Sequence, residues 1–455
     1  MKVDDVSDNR LTVMWQKYLQ KYYPSDPKTR SLKLCGSQII KNQPAKPAVF
    51  VLTNGERSRF FGLTTCHSAW ACPRCTAKMM AEKGARIAIA IDALAKWYNQ
   101  QPLMMTLTLP HTKHMSCEET FQLLQDTWRL FTRAGNHKSR NKHYYTAKSG
   151  ERREYRVGND AYGDFRQSLE ITHIVRVYEF TWGENSWHPH IHALIWCPKK
   201  NWNKIADFEE RLMERWWTCA KFCALRMRNK KFPDTLEENK RRIEIFFADW
   251  RKIPKGRHRS LFISKTPEGK VYPVPSSYYI SGWGGDNELT GLNYKKTSPG
   301  HYTPYMILVE AQKAKTPQEQ KKWLDLYYEY AKATFKHRRV EWSKRDGLTE
   351  IINRWKQTED YIETFKKKFM VKETAKWRVV VWLDEQQWFN ISFNDRFGET
   401  YLQAEILARA HLPDGKQQIQ QLLLEHNIDI TQNKTHHLES FIEEKIFENN
   451  FYIGA

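Results

Sequence analysis

The sequence predicts an α/β (α+β) fold in which a central antiparallel sheet follows a small cysteine-bearing module and precedes a mostly helical region. Its 455 residues exceed what one hydrophobic core usually serves, so several domains are expected. Loop-rich sequence gives way to strand and helix signals near residue 103, and beyond Pro304 the chain becomes helical and charged. The expected domains are residues 1–100, 101–304 and 305–455.

The composition indicates a polyanionic partner. Lys and Arg outnumber Asp and Glu by 73 to 52, which gives a formal net charge of +21. The chain also has 18 Trp, 21 Tyr and 22 Phe, and aromatic rings among cations suit stacking on unpaired bases. Most of these rings are expected in the core, so composition favours nucleic acid without naming the rings that touch it.

The N-terminal stretch MKVDDVSDNRLTVMW carries acidic residues where a secretory signal has positive charge, and no apolar run is long enough to span a bilayer. We therefore expect a cytoplasmic protein with no membrane association. In a reducing compartment the eight cysteines are metal ligands or buried thiols rather than disulfides.

Four cysteines in the first domain predict a structural zinc site. Cys35 stands upstream of Cys66, Cys72 and Cys75 in a C-x30-C-x5-C-x2-C pattern. Two thiolates three residues apart can hold one tetrahedral ion, and the other two complete the shell. His67 is an alternative fourth ligand to Cys35, although its position beside Cys66 makes that path awkward. The remaining cysteines are predicted to be packing residues, and they are Cys117, Cys197, Cys219 and Cys223.

Local signals predict the elements around this site. A helix is expected from Thr76 to about Tyr98, and Ser116 followed by Glu119 forms a capping box for the next one. Residues 136–157 are polar and basic without periodicity, which predicts a long loop. A further helix is expected from about Trp202 to Met227.

The last third of the chain carries weaker signals. The segment WRVVVWLDEQQWFNISF at 377–393 predicts a strand pair within the helical region, and PSSYYISGWGGDNELTG at 275–291 predicts a helix start interrupted by glycines. No G-x-x-x-x-G-K-[ST] phosphate loop is present, so we expect no helicase or ATPase within the chain.

Alternate positions of Trp187-His188-Pro189-His190-Ile191-His192 are imidazoles, so on a strand the three histidines share one face. The segments on either side of residues 183–186 are both β-rich, which predicts a hairpin.

If 183–186 is the turn, Trp182 pairs with Trp187, and Glu179 then lies opposite His190. Directly opposed residues share a face at about 5 Å. Two histidines and one carboxylate make a site with open positions, suited to Mg²⁺ or Mn²⁺. The register alone does not decide which two of the three histidines bind the ion.

Three segments in order resemble the HUH superfamily of rolling-circle replication initiators, of the plasmid Rep type. They are TLTLPH at 106–111, WHPHIHALI at 187–195 and YISGWGGDNELTG at 279–291, and the upstream CHSAWACPRC is similar to the cysteine segment of such proteins. The resemblance covers about residues 30–305. It implies an HUH endonuclease domain, with His190 and His192 as metal ligands beside a nearby acidic residue.

The resemblance also implies a tyrosine nucleophile, which forms a 5′-phosphotyrosyl link and frees a 3′-OH. The family pattern aligns Tyr279 with this nucleophile because Trp283 then falls in place, and the adjacent Tyr278 is the alternative. Gly282 stands where the family usually has Lys, which leaves the source of that cation open.

The predicted function is initiation of rolling-circle replication, by metal-dependent nicking and rejoining of single-stranded origin DNA with a host helicase and DNA polymerase. An HUH-type transposase or mobilisation relaxase shares this chemistry and is the first alternative. From other classes, a non-haem metal oxidoreductase or a non-catalytic, zinc-containing DNA-binding regulator would use the same ligands differently.

Overall fold

A computed structural model describes most of the chain and leaves gaps between the described ranges. These ranges are residues 5–41, 47–55, 57–133, 142–146, 152–156, 161–227, 244–246, 261–263, 300–342, 347–361 and 377–433. Among their helices, none has the length and apolar character needed to cross a membrane.

Ten strands form three antiparallel sheets within the described ranges. The strands are β1 Val49–Thr53, β2 Ser58–Phe61, β3 Gln100–Thr108, β4 Lys142–Thr146, β5 Arg152–Arg156, β6 His173–Gly183, β7 Ser186–Pro198, β8 Leu261–Ile263, β9 Val340–Trp342 and β10 Arg378–Leu383.

Twelve helices accompany them in the same part of the chain. They are α1 Asp5–Tyr22, α2 Arg30–Lys33, α3 Pro73–Tyr98, α4 Cys117–Thr132, α5 Ala161–Ser168, α6 Ala206–Met227, α7 Pro304–Lys313, α8 Pro317–Ala333, α9 Leu348–Trp355, α10 Glu385–Phe397, α11 Leu402–Ala410 and α12 Gly415–Glu425.

The central sheet has five strands in the order β8-β3-β7-β6-β9. The predicted antiparallel sheet is therefore present, and β7, the strand with the alternating histidines, lies at its centre. Central position explains why β7 is buried along most of its 13 residues.

Different helices cover the two faces of this sheet. Ile191 and Ile195 of β7 join one apolar cluster with α4 and α6. Leu194 and Trp196 point to the opposite face and join α3 and α9. Nearer the turn that follows β6, the β7 positions on the same face as Leu194 and Trp196 are histidines. This face of the sheet is therefore apolar at one end and carries imidazoles at the other.

Strands from the first and the last part of the described residues pair in the three-stranded sheet, whose order is β10-β1-β2. Val49 pairs with Leu383, which joins sequence assigned to the first and third expected domains. The central sheet likewise takes β9 from beyond Pro304. The division into three domains remains a prediction.

Several predicted elements have observed counterparts. The helix expected from Thr76 begins slightly earlier, as α3, and ends at Tyr98 as predicted. Ser116 caps α4 by accepting the Glu119 backbone N–H at 3.2 Å. A short 3₁₀ helix, Lys199–Lys204, precedes α6 where one continuous helix was expected.

Two predictions were wrong. The stretch at 136–157 contains the hairpin of β4 and β5 rather than loop alone. The expected strand pair at 377–393 is one strand, β10, followed by the helix α10. Asp384 starts this helix, since its side chain accepts the Gln387 backbone N–H at 2.8 Å while the Gln387 amide oxygen accepts the Asp384 N–H at 3.0 Å.

Candidate functional site

The β6–β7 hairpin sets the positions of the predicted metal ligands. Glu179 pairs with His190 and Trp182 pairs with Trp187, as the predicted register requires. The ladder continues to Gly183 and Ser186, so the turn has two unpaired residues instead of four. Shortening the turn by one pair leaves the facing of every side chain unchanged.

Three side chains meet on this face. Oε2 of Glu179 lies 2.5 Å from Nε2 of His190 and 2.8 Å from Nε2 of His192. The three ligand atoms lie within 4.8 Å of one another, as a shared ion requires. Glu179 is 1% exposed and His192 3%, whereas the His190 side chain is 14% exposed. The group is therefore closed on the Glu179 side and accessible at His190.

The two imidazoles favour the ionised form of the Glu179 carboxyl. Burial alone would raise its pKa, but the charge of His190 and hydrogen bonds from both imidazoles hold the pKa of Glu179 well below its usual range. A buried carboxylate beside two imidazole nitrogens is a donor set that divalent cations accept. The group fits a metal with open coordination positions.

A third strand supports the ligands from the other side of β7. Thr106 of β3 pairs with His192, and its Oγ1 lies 3.0 Å from Nδ1 of His192. A hydrogen bond at Nδ1 fixes the ring and leaves Nε2 directed at Glu179. This role of Thr106 was not predicted from the sequence, although the alternation of TLTLPH places Thr106 and Thr108 on one strand face.

The four predicted zinc ligands also come together. Sγ of Cys35 lies 3.5 Å from those of Cys72 and Cys75, and Sγ of Cys66 lies 3.6 Å from that of Cys75. Zinc–sulfur bonds of about 2.3 Å place tetrahedral sulfurs about 3.8 Å apart, so the four thiols fit one zinc ion with slight expansion.

Local structure explains how this cysteine cluster forms. Cys72 immediately precedes α3, and the Cys75 backbone N–H donates to the Cys72 carbonyl at 3.1 Å, so one turn presents both thiols. The Gln16 amide of α1 donates to the Cys35 carbonyl at 2.8 Å, which holds the distant ligand in place. His67 contacts Thr65 Oγ1 at 3.2 Å and is not a member of the group.

The cysteines predicted to be packing residues are buried outside this cluster. Burial raises the pKa of Cys197 and of Cys223 to about 12, so both remain protonated thiols at neutral pH. This state suits packing.

The predicted nucleophiles, Tyr279 and Tyr278, lie outside the described residues, as do Gly282 and Trp283. Their assignment rests on the sequence alone.

The class that these observations define is a mixed α/β protein with antiparallel sheets, whose described residues include a four-cysteine group and a Glu-His-His group. A curated protein of Streptomyces lividans named "Protein rep" is 24% identical to this chain over 343 aligned residues. The alignment covers 66% of this chain and 67% of that protein, which is a distant similarity. No protein-family model matches the sequence, and no solved structure matches it either.

Proposed function

We propose that this protein initiates rolling-circle DNA replication by nicking and rejoining single-stranded origin DNA. The observation that carries the proposal is the Glu179, His190 and His192 group, held in register on one face of an antiparallel sheet. The distant similarity to a protein named "Protein rep" supports a role in replication. The net charge of +21 suits a DNA partner.

The proposed reaction is a transesterification at one phosphodiester. The Tyr279 oxygen loses its phenolic proton and attacks phosphorus, the bond to the preceding 3′ oxygen breaks, and the freed 3′ oxygen takes up one proton to become a 3′-OH. The products are a 5′-phosphotyrosyl protein and a 3′-OH that can prime synthesis. Attack by that 3′-OH on the phosphotyrosyl bond reverses the step and rejoins the strand.

The ligand group would hold Mg²⁺ or Mn²⁺, which when bound polarises the phosphate and offsets its developing charge. Glu179 contributes the fixed negative charge, and burial keeps water away from it. Thr106 keeps the His192 ring in its binding orientation. His190, the most accessible of the three, lies where a phosphate would approach.

The cysteine cluster would hold Zn²⁺ in a structural role, because four thiolates fill a tetrahedral shell and leave no position for substrate. Origin DNA is the proposed partner, with a host helicase that unwinds the duplex and a host DNA polymerase that extends the 3′-OH in the cytoplasm.

The test is formation of a covalent protein–DNA adduct. Labelled single-stranded DNA from around the gene is incubated with the protein and Mn²⁺, and adducts are scored after denaturing electrophoresis. Wild type should form an adduct, and Tyr279→Phe should not. Retention in Tyr279→Phe with loss in Tyr278→Phe would move the nucleophile by one residue. DNA binding without an adduct under any metal would instead indicate the non-catalytic regulator.

A further inference from the structure

The metal ligands are part of a longer row of imidazoles. From the buried end, ring centroids are 4.9 Å apart between His192 and His190, 5.6 Å between His190 and His188, and 4.7 Å between His188 and His111. His192 is buried, whereas His190, His188 and His111 are partly exposed. The row therefore leads from the Glu179 carboxylate outwards along the sheet face.

His111 reaches this row because β3 ends just before it. Thr108 pairs with His190, so the next same-face position of β3 would lie opposite His188. Pro110 stands there, and it has no N–H to continue the ladder. The chain turns, and the His111 ring meets His188 with the two rings nearly perpendicular, at 84°.

The turn after β3 is held in place by buried side chains and a hydrogen bond. Leu109 and Met115 on either side of His111 are buried, and Ser186 at the hairpin turn donates its hydroxyl to the Met115 carbonyl at 3.3 Å. Lys113, between them, is exposed and adds a cation to the same turn. A site on a fixed turn can hold a ligand in one geometry.

We propose that His188 and His111 form a phosphate-binding subsite beside the metal group, for the phosphate adjacent to the scissile one. Imidazole N–H groups donate well to phosphate oxygens, and such contacts set the register of a nucleic-acid strand. Alternate residues of a strand are about 6.7 Å apart, close to the spacing of neighbouring phosphates on one DNA strand. The His190 and His188 ring centroids are 5.6 Å apart, so the two positions can face neighbouring phosphates of one strand.

This subsite rests on the proposed function, because it assigns one phosphate of the same DNA strand to each end of the row. His188 and His111 act as positioning residues: they hold the strand so that the scissile phosphate lies at the metal group. Their removal should weaken DNA binding without weakening metal binding.

The test is a scan with methylphosphonates, which remove the charge of one phosphate at a time. Binding of a single-stranded oligonucleotide from beside the gene is measured by fluorescence anisotropy, with and without Mn²⁺. Mn²⁺ should increase the affinity for DNA. The phosphate whose replacement removes this increase is the one that lies at the metal group. Replacement of its neighbour should weaken wild-type binding about tenfold, as expected for loss of a hydrogen bond to a charged group.

His111→Gln and His188→Gln should each weaken binding to a similar extent and become insensitive to methylphosphonate at that neighbouring phosphate. Their Mn²⁺ affinity, measured by electron paramagnetic resonance without DNA, should equal that of wild type. The matched control is His411→Gln, which changes an exposed histidine at the end of α11 and should retain the wild-type profile.

Variants that bind DNA as tightly as wild type and keep its full methylphosphonate profile would overturn the subsite. Loss of Mn²⁺ affinity in either variant would also overturn it, by making that histidine a metal ligand. The readout of this test is DNA binding and does not depend on cleavage. Failure to form a covalent adduct would therefore count against the proposed nuclease activity but not against the subsite.

Discussion

The two ligand groups of this protein are built in opposite ways. The cysteine cluster draws three of its four thiols from ten consecutive residues, 66–75, and its four sulfurs could fill the shell of one ion. The Glu179 group draws its ligands from two strands and keeps one accessible side. A coordination shell filled by four protein ligands suits a structural ion. A shell with three protein ligands and open positions suits an ion that meets substrate. Under the proposed function, the first group would serve folding and the second would serve chemistry.

The two centres nevertheless touch through Trp70, which lies between Cys66 and Cys72. The Trp70 ring packs edge-on against Phe180 at 5.6 Å, next to Glu179 on β6. Its indole N–H donates to the His337 carbonyl at 2.7 Å. The cysteine loop therefore supports the strand that carries Glu179.

Arg339 strengthens this connection. Its guanidinium donates to the Ala69 carbonyl at 3.1 Å and lies 5.3 Å from the centre of the Trp70 ring. Its own carbonyl accepts the Tyr178 backbone N–H at 3.0 Å. Loss of the cysteine cluster should therefore affect the Glu179 group.

The largest effect is expected from Cys72→Ser. Structural zinc contributes on the order of 10 kcal/mol to folding, so losing one of four ligands should remove the ion and lower the melting temperature by about 10 °C or more. Zinc content by mass spectrometry and thermal unfolding measure this. Cys223→Ala, a buried thiol outside the cluster, is the control and should keep its zinc. Equal zinc content in both variants would argue against a metal at the cysteines.

Glu179→Gln should abolish metal binding and adduct formation while leaving the fold intact. The amide cannot supply the negative charge, so Mn²⁺ affinity should fall at least about 100-fold and adduct formation should disappear. Isothermal titration with Mn²⁺ gives the affinity. Glu184→Gln alters the exposed carboxylate of the hairpin turn and should behave as wild type. Unchanged Mn²⁺ binding in Glu179→Gln would remove Glu179 from the ligand set.

Thr106→Val should weaken Mn²⁺ binding about tenfold, because a residue that orients a metal ligand typically contributes that much. The valine keeps the shape of the side chain and removes its hydrogen bond to His192. Thr106→Ser keeps the hydroxyl and should restore affinity. If Val and Ser variants bind Mn²⁺ equally well, the Thr106 contact does not orient the ligand.

Trp70→Leu should give the smallest effect, a loss of Mn²⁺ affinity of about fivefold with zinc retained, as expected for coupling through packed side chains. Trp70→Phe retains a ring against Phe180 and should recover part of the affinity. The same titration measures both variants. An unchanged affinity in Trp70→Leu would show that the two centres act independently.

The ligand register was predictable because a strand alternates its faces with a period of two. Once a hairpin turn is placed anywhere symmetric about residues 184–185, Glu179 must face His190, and the observed shorter turn has the same symmetry. The cysteine spacing was equally local. Neither inference required knowledge of the strand order.

Features that depend on distant pairing were not predicted. Thr106 and His111 reach the histidine row because β3 lies beside β7, about 85 residues further along the chain. The pairing of β1 with β10 joins residues more than 320 positions apart. The helix α10 was mistaken for a strand because its aromatic and β-branched residues favour strands, whereas the Asp384 cap and burial of Trp388 and Ile391 favour a helix.

The most direct test of two centres with separate roles is removal of metal from one of them alone. The protein is dialysed against a mild chelator, and zinc content, Mn²⁺ content and adduct formation are measured before and after Mn²⁺ is restored. We predict that one zinc remains, that adduct formation is lost, and that Mn²⁺ restores it. Adduct formation that persists without an exchangeable ion would contradict the account.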